Sequence, residues 1–205
     1  GVLTGLVFLI FYSVAGLYMG MLADTVNRIR LISFGVTLWS ALTAASGLAW
    51  NFVSMAIPRM FIGVGESILT PSAMSLLADR FPQSRLGFAA GFYYIGAPLG
   101  AGGSFLLAGY LGPIIGWRNC FYLLGGIGIV LAAIVFFVRE TPRRHLLNSE
   151  DQKNTPSIKK IAKIAMTAIP KSPALMAAMA GAMLLHVFIG AGYFDQLWFV
   201  QERGF

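Results

Sequence analysis

The chain has 205 residues, 57% of them hydrophobic and 11% charged, with a mean hydropathy of +0.74. Globular proteins carry about 25% charged residues, so the deficit excludes an ordinary water-soluble domain and makes lipid the expected solvent. The net charge of +7 is no nucleic-acid footprint, because the basic residues gather in alternate connections between apolar runs. The lone Cys120 excludes an internal disulfide framework and a cysteine-rich metal site.

A spanning helix needs about 20 apolar residues, and the hydropathy predicts six of them: residues 1–22, 31–50, 52–78, 86–110, 117–138 and 173–200. Arg28 and Arg30 lie in the first connection, Arg80 and Arg85 in the third, and a cluster of Lys and Arg between Arg139 and Lys171 in the fifth. The second connection has no basic residue and the fourth only Arg118. The positive-inside rule therefore makes the odd connections cytoplasmic. Gly1 falls inside an apolar run without a basic flank or cleavage site, so this is not a signal peptide. Both ends read as cuts, and the expectation is a piece of a larger multi-pass protein of the cell (inner) membrane.

The first cytoplasmic turn, Gly20 to Arg30, combines a small residue for close helix approach with an acid and two bases. Asp24 is expected to accept from a helix N-terminus or an arginine, and Asn27 to take a left-handed turn. In the third span, Arg59 and Glu66 are seven residues apart, which puts them about 20° from eclipsed and ~10 Å apart along one helix. A single charge at the bilayer centre costs roughly 2.5–3.5 kcal/mol on insertion scales. Two on one stripe make sense where that stripe faces protein or a wet cavity. Between them Gly63 and Gly65 remove side-chain bulk, and Pro71 further on frees a carbonyl.

The fourth span is dense in glycine, with Tyr93, Tyr94 and Pro98 in its middle. Residues 139–172 form the only long polar connection, and Ile158, Ile161, Ala162 and Ala165 share one face there against lysines on another. That pattern predicts a helix lying at the cytoplasmic interface. The last span carries His186, read as a packing residue, and near its outer end Tyr193, Phe194, Asp195 and Trp198. Asp195 and Trp198 read as interfacial residues.

Gly20-Met21-Leu22-Ala23-Asp24-Thr25-Val26-Asn27-Arg28-Ile29-Arg30 resembles the G-x-L-A-D-R-x-G-R-R/K signature of the major facilitator superfamily, with Thr25 and Asn27 as departures. Asp79-Arg80-Phe81-Pro82 with Arg85 is similar to that family's next cytoplasmic turn. Gly116-Trp117-Arg118 and Arg139-Glu140-Thr141-Pro142-Arg143 resemble the motifs that open and close its sixth helix. The resemblance implies an all-α membrane protein, a helical bundle with six of twelve transmembrane helices present. Residues 1–138 would be most of the N-terminal bundle, 139–172 the cytoplasmic inter-bundle loop and 173–205 the first helix of the C-terminal bundle. Arg59-x-x-x-Gly63-x-Gly65-Glu66 is similar to the fourth helix of the Spinster-like branch, which carries lysolipids and sphingosine-type lipids. Gly87, Gly96 and Gly100 fit a fifth-helix antiporter signature, whereas Pro98 and the Gly102-Gly103 pair do not. Exchange and symport both stay open.

The resemblance implies alternating access, with Glu66 as the protonation site and Arg59 as its charge partner. Desolvation and a neighbouring cation act in opposite senses on a buried carboxylate, so moving Arg59 or substrate would change its proton occupancy. Arg59, Gly63, Tyr93, Tyr94 and Phe194 are the candidate substrate contacts. Gly20, Asp24, Arg28, Arg30, Asp79, Arg80 and Arg85 would latch the cytoplasmic ends. The expected partners are the bilayer, protons, the remaining helices and an amphipathic or anionic small molecule. Amphipathic lipids lead, with sugar-acid-type organic anions as the alternative and a non-transporting receptor or scaffold as the alternative of another class. No cofactor is implied, and neither a nucleophile nor a metal constellation suggests an enzyme.

Overall fold

The computed structural model describes residues 6–143, 167, 169–181 and 183–185. The chain divides into two compact units, Gly1–Lys153 and Asn154–Phe205. The first unit holds α1 (Leu6–Thr25), α2 (Arg28–Ser46), α3 (Phe52–Glu66), α4 (Leu69–Arg80), α5 (Gln83–Ile115) and α6 (Trp117–Phe136). The described part of the second is a 3-10 turn, Ile169–Lys171, and an apolar helix, Pro173–Leu185.

The starts of α2 and α3 carry side-chain caps. Asn27 caps α2 by accepting from the Arg30 amide at 2.8 Å, in an extended conformation (φ −65°, ψ 114°). That replaces the left-handed turn expected there: capping the amide three residues downstream requires a β-region backbone. Asn51 and Ser54 form a reciprocal capping box on α3, with Asn51 Oδ1 accepting from the Ser54 amide at 2.8 Å and Ser54 Oγ accepting from the Asn51 amide at 3.0 Å. Both satisfy amide donors that an apolar solvent would leave orphaned. Gly116 ends α5 at φ 82°, a conformation only glycine adopts without strain, so the chain reverses there and α6 begins one residue later.

The Arg28–Ser46, Phe52–Arg80, Gln83–Ile115 and Trp117–Phe136 stretches are long and apolar enough to cross a membrane. The 20 residues of α1 also reach ~30 Å. At 33 residues α5 extends about 50 Å, so it tilts or projects beyond a hydrocarbon core of ~30 Å. It exceeds the expected 86–110 at both ends, and neither Pro98 nor Pro113 breaks it.

Helix α2 is the centre of the unit, packed mainly on α6 and α3, while α1 packs on α3 and α4. Small residues allow this. A Cβ on Gly65 would lie 3.0 Å from the Gly35 carbonyl, and one on Gly35 2.9 Å from that of Gly65, so α2 and α3 touch backbone to backbone. Ser33 Oγ donates to the Ala132 carbonyl of α6 at 2.8 Å. Thr37, Thr43 and Ser46 each return their hydroxyls to a carbonyl four residues back. Buried apolar contacts gather where Ala23, Leu31 and Ile68 meet beside Met19 and Leu22. Within α5 only Ala89 is buried.

Candidate functional site

The third span is two helices. Glu66 is the last residue of α3 and Leu69 the first of α4, so the 29-residue stretch is interrupted near its middle. Gly63 and Gly65 weaken the helix before the break, and Pro71 cannot donate to the Ser67 carbonyl behind it. Ser67 still donates to the Gly63 carbonyl four residues back at 3.0 Å, whereas Ile68 shifts to that of Gly65, three back, at 3.4 Å. Ser67 Oγ donates to the Val64 carbonyl at 2.8 Å. Ser67 and Ile68 keep right-handed helical dihedrals, so the interruption is a tightened turn whose amides stay bonded within the chain.

Beside this break lies a cavity of about 730 Å³. Glu66, Leu69 and Thr70 form its wall at the break, with Tyr12 from α1 and Trp39, Ser40 and Thr43 from α2. Tyr93 and Tyr94 of α5 face them, followed by the small residues Gly96, Ala97, Gly100 and Ala101, and α6 adds Leu124 and Gly128. Thr70 Oγ1 and the Tyr93 hydroxyl share a hydrogen bond of 3.4 Å. The Tyr93 and Tyr94 rings meet edge to face, 5.2 Å between centroids. Ser40 is 2% exposed, and its hydroxyl has no partner among the described residues. Glu66 is the single charged residue among the described residues that line the cavity.

Of the expected site residues, Glu66, Tyr93 and Tyr94 come together on this wall. Arg59 does not join them. Its guanidinium carbon stands 5.4 Å from the centre of the Phe121 ring on α6, and no ion pair links it to Glu66 within 4 Å. Gly63 packs on α1, where a Cβ would lie 3.1 Å from the Phe8 carbonyl, and is not part of the cavity lining. Phe194, with His186, Tyr193, Asp195, Trp198 and the 158–165 segment, lies outside the described residues.

The start of α2, the end of α4 and the segment after α6 form a second centre around Arg28, which is fully buried. Its Nε and its amide both donate to Glu140 Oε1, at 3.1 and 3.2 Å. Nη1 donates to Ser75 Oγ at 2.8 Å and pairs with Asp79, and Nη2 donates to the Thr141 carbonyl at 2.9 Å. Burial of a guanidinium is tolerable because two carboxylates and two further acceptors, Ser75 Oγ and the Thr141 carbonyl, surround it. Arg143 closes the neighbouring helix end, with Nη2 on the Ala23 and Val26 carbonyls at 2.9 and 2.8 Å and Nη1 on that of Asp24. Asp24 therefore takes part through its backbone, and its side chain is exposed. Arg30, Arg80 and Arg85 are exposed and outside this network. Gly20 has no described atom within 4 Å of a Cβ built on it, so close packing does not explain it.

Sequence reasoning missed Glu140, Ser75 and Arg143 as members of these contacts, although the Arg139–Arg143 motif was visible; its acid and its second arginine were the available signal. It also missed Tyr12, Trp39, Ser40, Thr43 and Thr70, whose hydroxyls and rings read as ordinary packing on apolar helices.

The description "Major Facilitator Superfamily" matches residues 1–205. The chain belongs to this superfamily. It is 30% identical over 143 residues to the Arabidopsis thaliana protein named "Probable sphingolipid transporter spinster homolog 1", covering 69% of this chain and 29% of that one. It is 29% identical over 140 residues to the protein named "Probable L-galactonate transporter" of Escherichia coli, covering 68% and 31%. A crystal structure of a bacterial homolog to the human lysosomal transporter Spinster, inward-facing and occupied, superposes with a TM-score of 0.58 at 31% identity, over 70% of this chain and 37% of that one. A peptide transporter, POT, in complex with alafosfalin shares the fold alone, at 20% identity and a TM-score of 0.52 over 92% and 42%. This superfamily member spans about a third of the length of the curated relatives it matches. Apolar helices and family together make it a multi-pass integral membrane protein.

Proposed function

We propose that the chain is part of a proton-linked secondary active transporter of amphipathic lipids, of lysophospholipid or sphingoid-phosphate type, working by alternating access. The observation that carries this reading is the lone carboxylate of Glu66 at a helix break beside a cavity walled by aromatic and small residues. Discontinuous helices at the midplane put irregular backbone and polar groups where substrate and coupling ion meet. Arg59 acts on Glu66 from about 10 Å along the same helix as a fixed opposite charge. The Arg28 network, with Arg143 capping α1, latches the cytoplasmic ends. Residues 1–138 belong to the N-terminal bundle, 139–172 to the cytoplasmic linker and 173–205 to the first helix of the other bundle, in the cell (inner) membrane. The exposure of α5 supports further helices of the same protein covering it.

The relatives support a second reading, proton symport of small organic anions: the L-galactonate relative and the "Hexuronate transporter" of Bacillus subtilis both match at 29% identity. The experiment is uptake into proteoliposomes of the intact protein with an imposed proton gradient, comparing lysophospholipid with a hexuronate. Lipid movement that loses its gradient dependence in Glu66→Gln is the expected result. Gradient-driven hexuronate uptake alone would transfer the assignment to the second reading, and transport unaffected by Glu66→Gln would remove the coupling role.

A further inference from the structure

Resting on the lipid-carrier reading, we infer that the cavity beside Glu66 receives the ammonium end of an amphiphile, not its phosphate. The wall carries one formal charge among the described residues, and that charge is negative when Glu66 is ionised. Arg59, the residue suited by its planar donors to a phosphate, is turned to Phe121 and does not line the cavity.

What surrounds Glu66 matches a cation. Trp39, Tyr12 and Tyr94 present aromatic rings on three different helices of the wall, and ring faces attract ammonium groups within ~6 Å of their centroids. Ser40 adds a buried hydroxyl whose oxygen has no partner among the described residues. A phosphate in the same place would meet an ionised carboxylate in a medium of low dielectric without a described cation on the wall. A volume of about 730 Å³ holds such a head group and the first part of a chain, within the roughly 300–1,000 Å³ of small-molecule sites. The small residues from Gly96 to Ala101 leave the α5 side smooth for that chain.

The test is equilibrium binding to the intact protein in nanodiscs of three probes with one tail: dodecyltrimethylammonium, dodecyl phosphate and dodecyl maltoside, each below its micelle-forming concentration. The ammonium probe is expected to bind at least tenfold more tightly than the phosphate. Glu66→Gln is expected to erase that difference while maltoside binding stays within about threefold, and Glu66→Asp to keep part of it. Phosphate binding as tight as ammonium, or a preference that survives Glu66→Gln, would overturn the inference. Equal binding of all three probes would also overturn it and leave the amphiphile carrier standing. No binding of any probe would count against the carrier reading itself.

Discussion

The Arg28 guanidinium, buried at the first residue of α2, is paired with Asp79 at the far end of α4, and its Nε reaches Glu140 beyond α6 at 3.1 Å. One side chain thus fastens three segments that are distant in sequence. Removing either partner of a buried ion pair strands the other and typically costs about 3–5 kcal/mol. Arg28→Ala is expected to fall in that range and Glu140→Gln well below it, since the Glu140 carboxylate is 20% exposed. Thermal denaturation of the purified variants checks the order; equal losses would mean that Asp79 alone does not anchor the pair.

Arg143 reaches three carbonyls at the end of α1. Hydrogen bonds from a charged donor are worth about 1.5–3 kcal/mol, and the site is partly exposed, so the lower end applies. Arg143→Gln should increase hydrogen exchange at residues 20–26 while leaving α3 unchanged. Uniform exchange across the unit would argue that the cap is idle.

Gly65 and Gly87 separate packing from composition. A methyl on Gly65 meets the Gly35 carbonyl and the Trp39 amide at 3.0 and 3.1 Å, while one on Gly87 meets nothing described within 4 Å. Gly65→Ala is expected to destabilise by ~1–3 kcal/mol through overpacking, and Gly87→Ala to be neutral or better because alanine favours helix. A chemical-denaturation pair measures this, and similar shifts in both would contradict the α2–α3 contact.

Ser54→Ala removes half of the α3 capping box. A lost cap costs about 0.5–2 kcal/mol, and the effect should localise to faster exchange at residues 52–56. No change there would mean that the outer turn draws its order from packing alone.

The fold was legible because its rules are local. Spans, the alternation of basic connections and the Arg59–Glu66 spacing all follow from periodicity and solvation, and among the described residues α1, α2 and α6 lie close to where hydropathy puts them. Direction within a helix was less legible. Arg59 and Glu66 share a face of α3 at about 20°, yet two turns of height separate them, so one lines the cavity while the other stacks on Phe121. Seven-residue arithmetic gives the face, and the neighbours at each level decide the rest. Gly63 fails for the same reason: small residues announce an approach without naming what approaches, which here is Phe8. Glu140 and Arg143 act across more than a hundred residues of chain, a separation no spacing rule covers.

The interruption after Glu66 gives the third span a joint with a rigid arm. Helix α4 has 12 residues and is ~18 Å long, with the pivot at one end and Asp79 near the other. A tilt of about 10° at the pivot would carry the Asp79 end ~3 Å, farther than a hydrogen bond stretches. The grip on Arg28 and the surroundings of Glu66 are therefore two readings of a single angle. Locking that angle, for instance by stiffening the turn at Ser67 and Ile68, would uncouple the Arg28 network from the cavity beside Glu66.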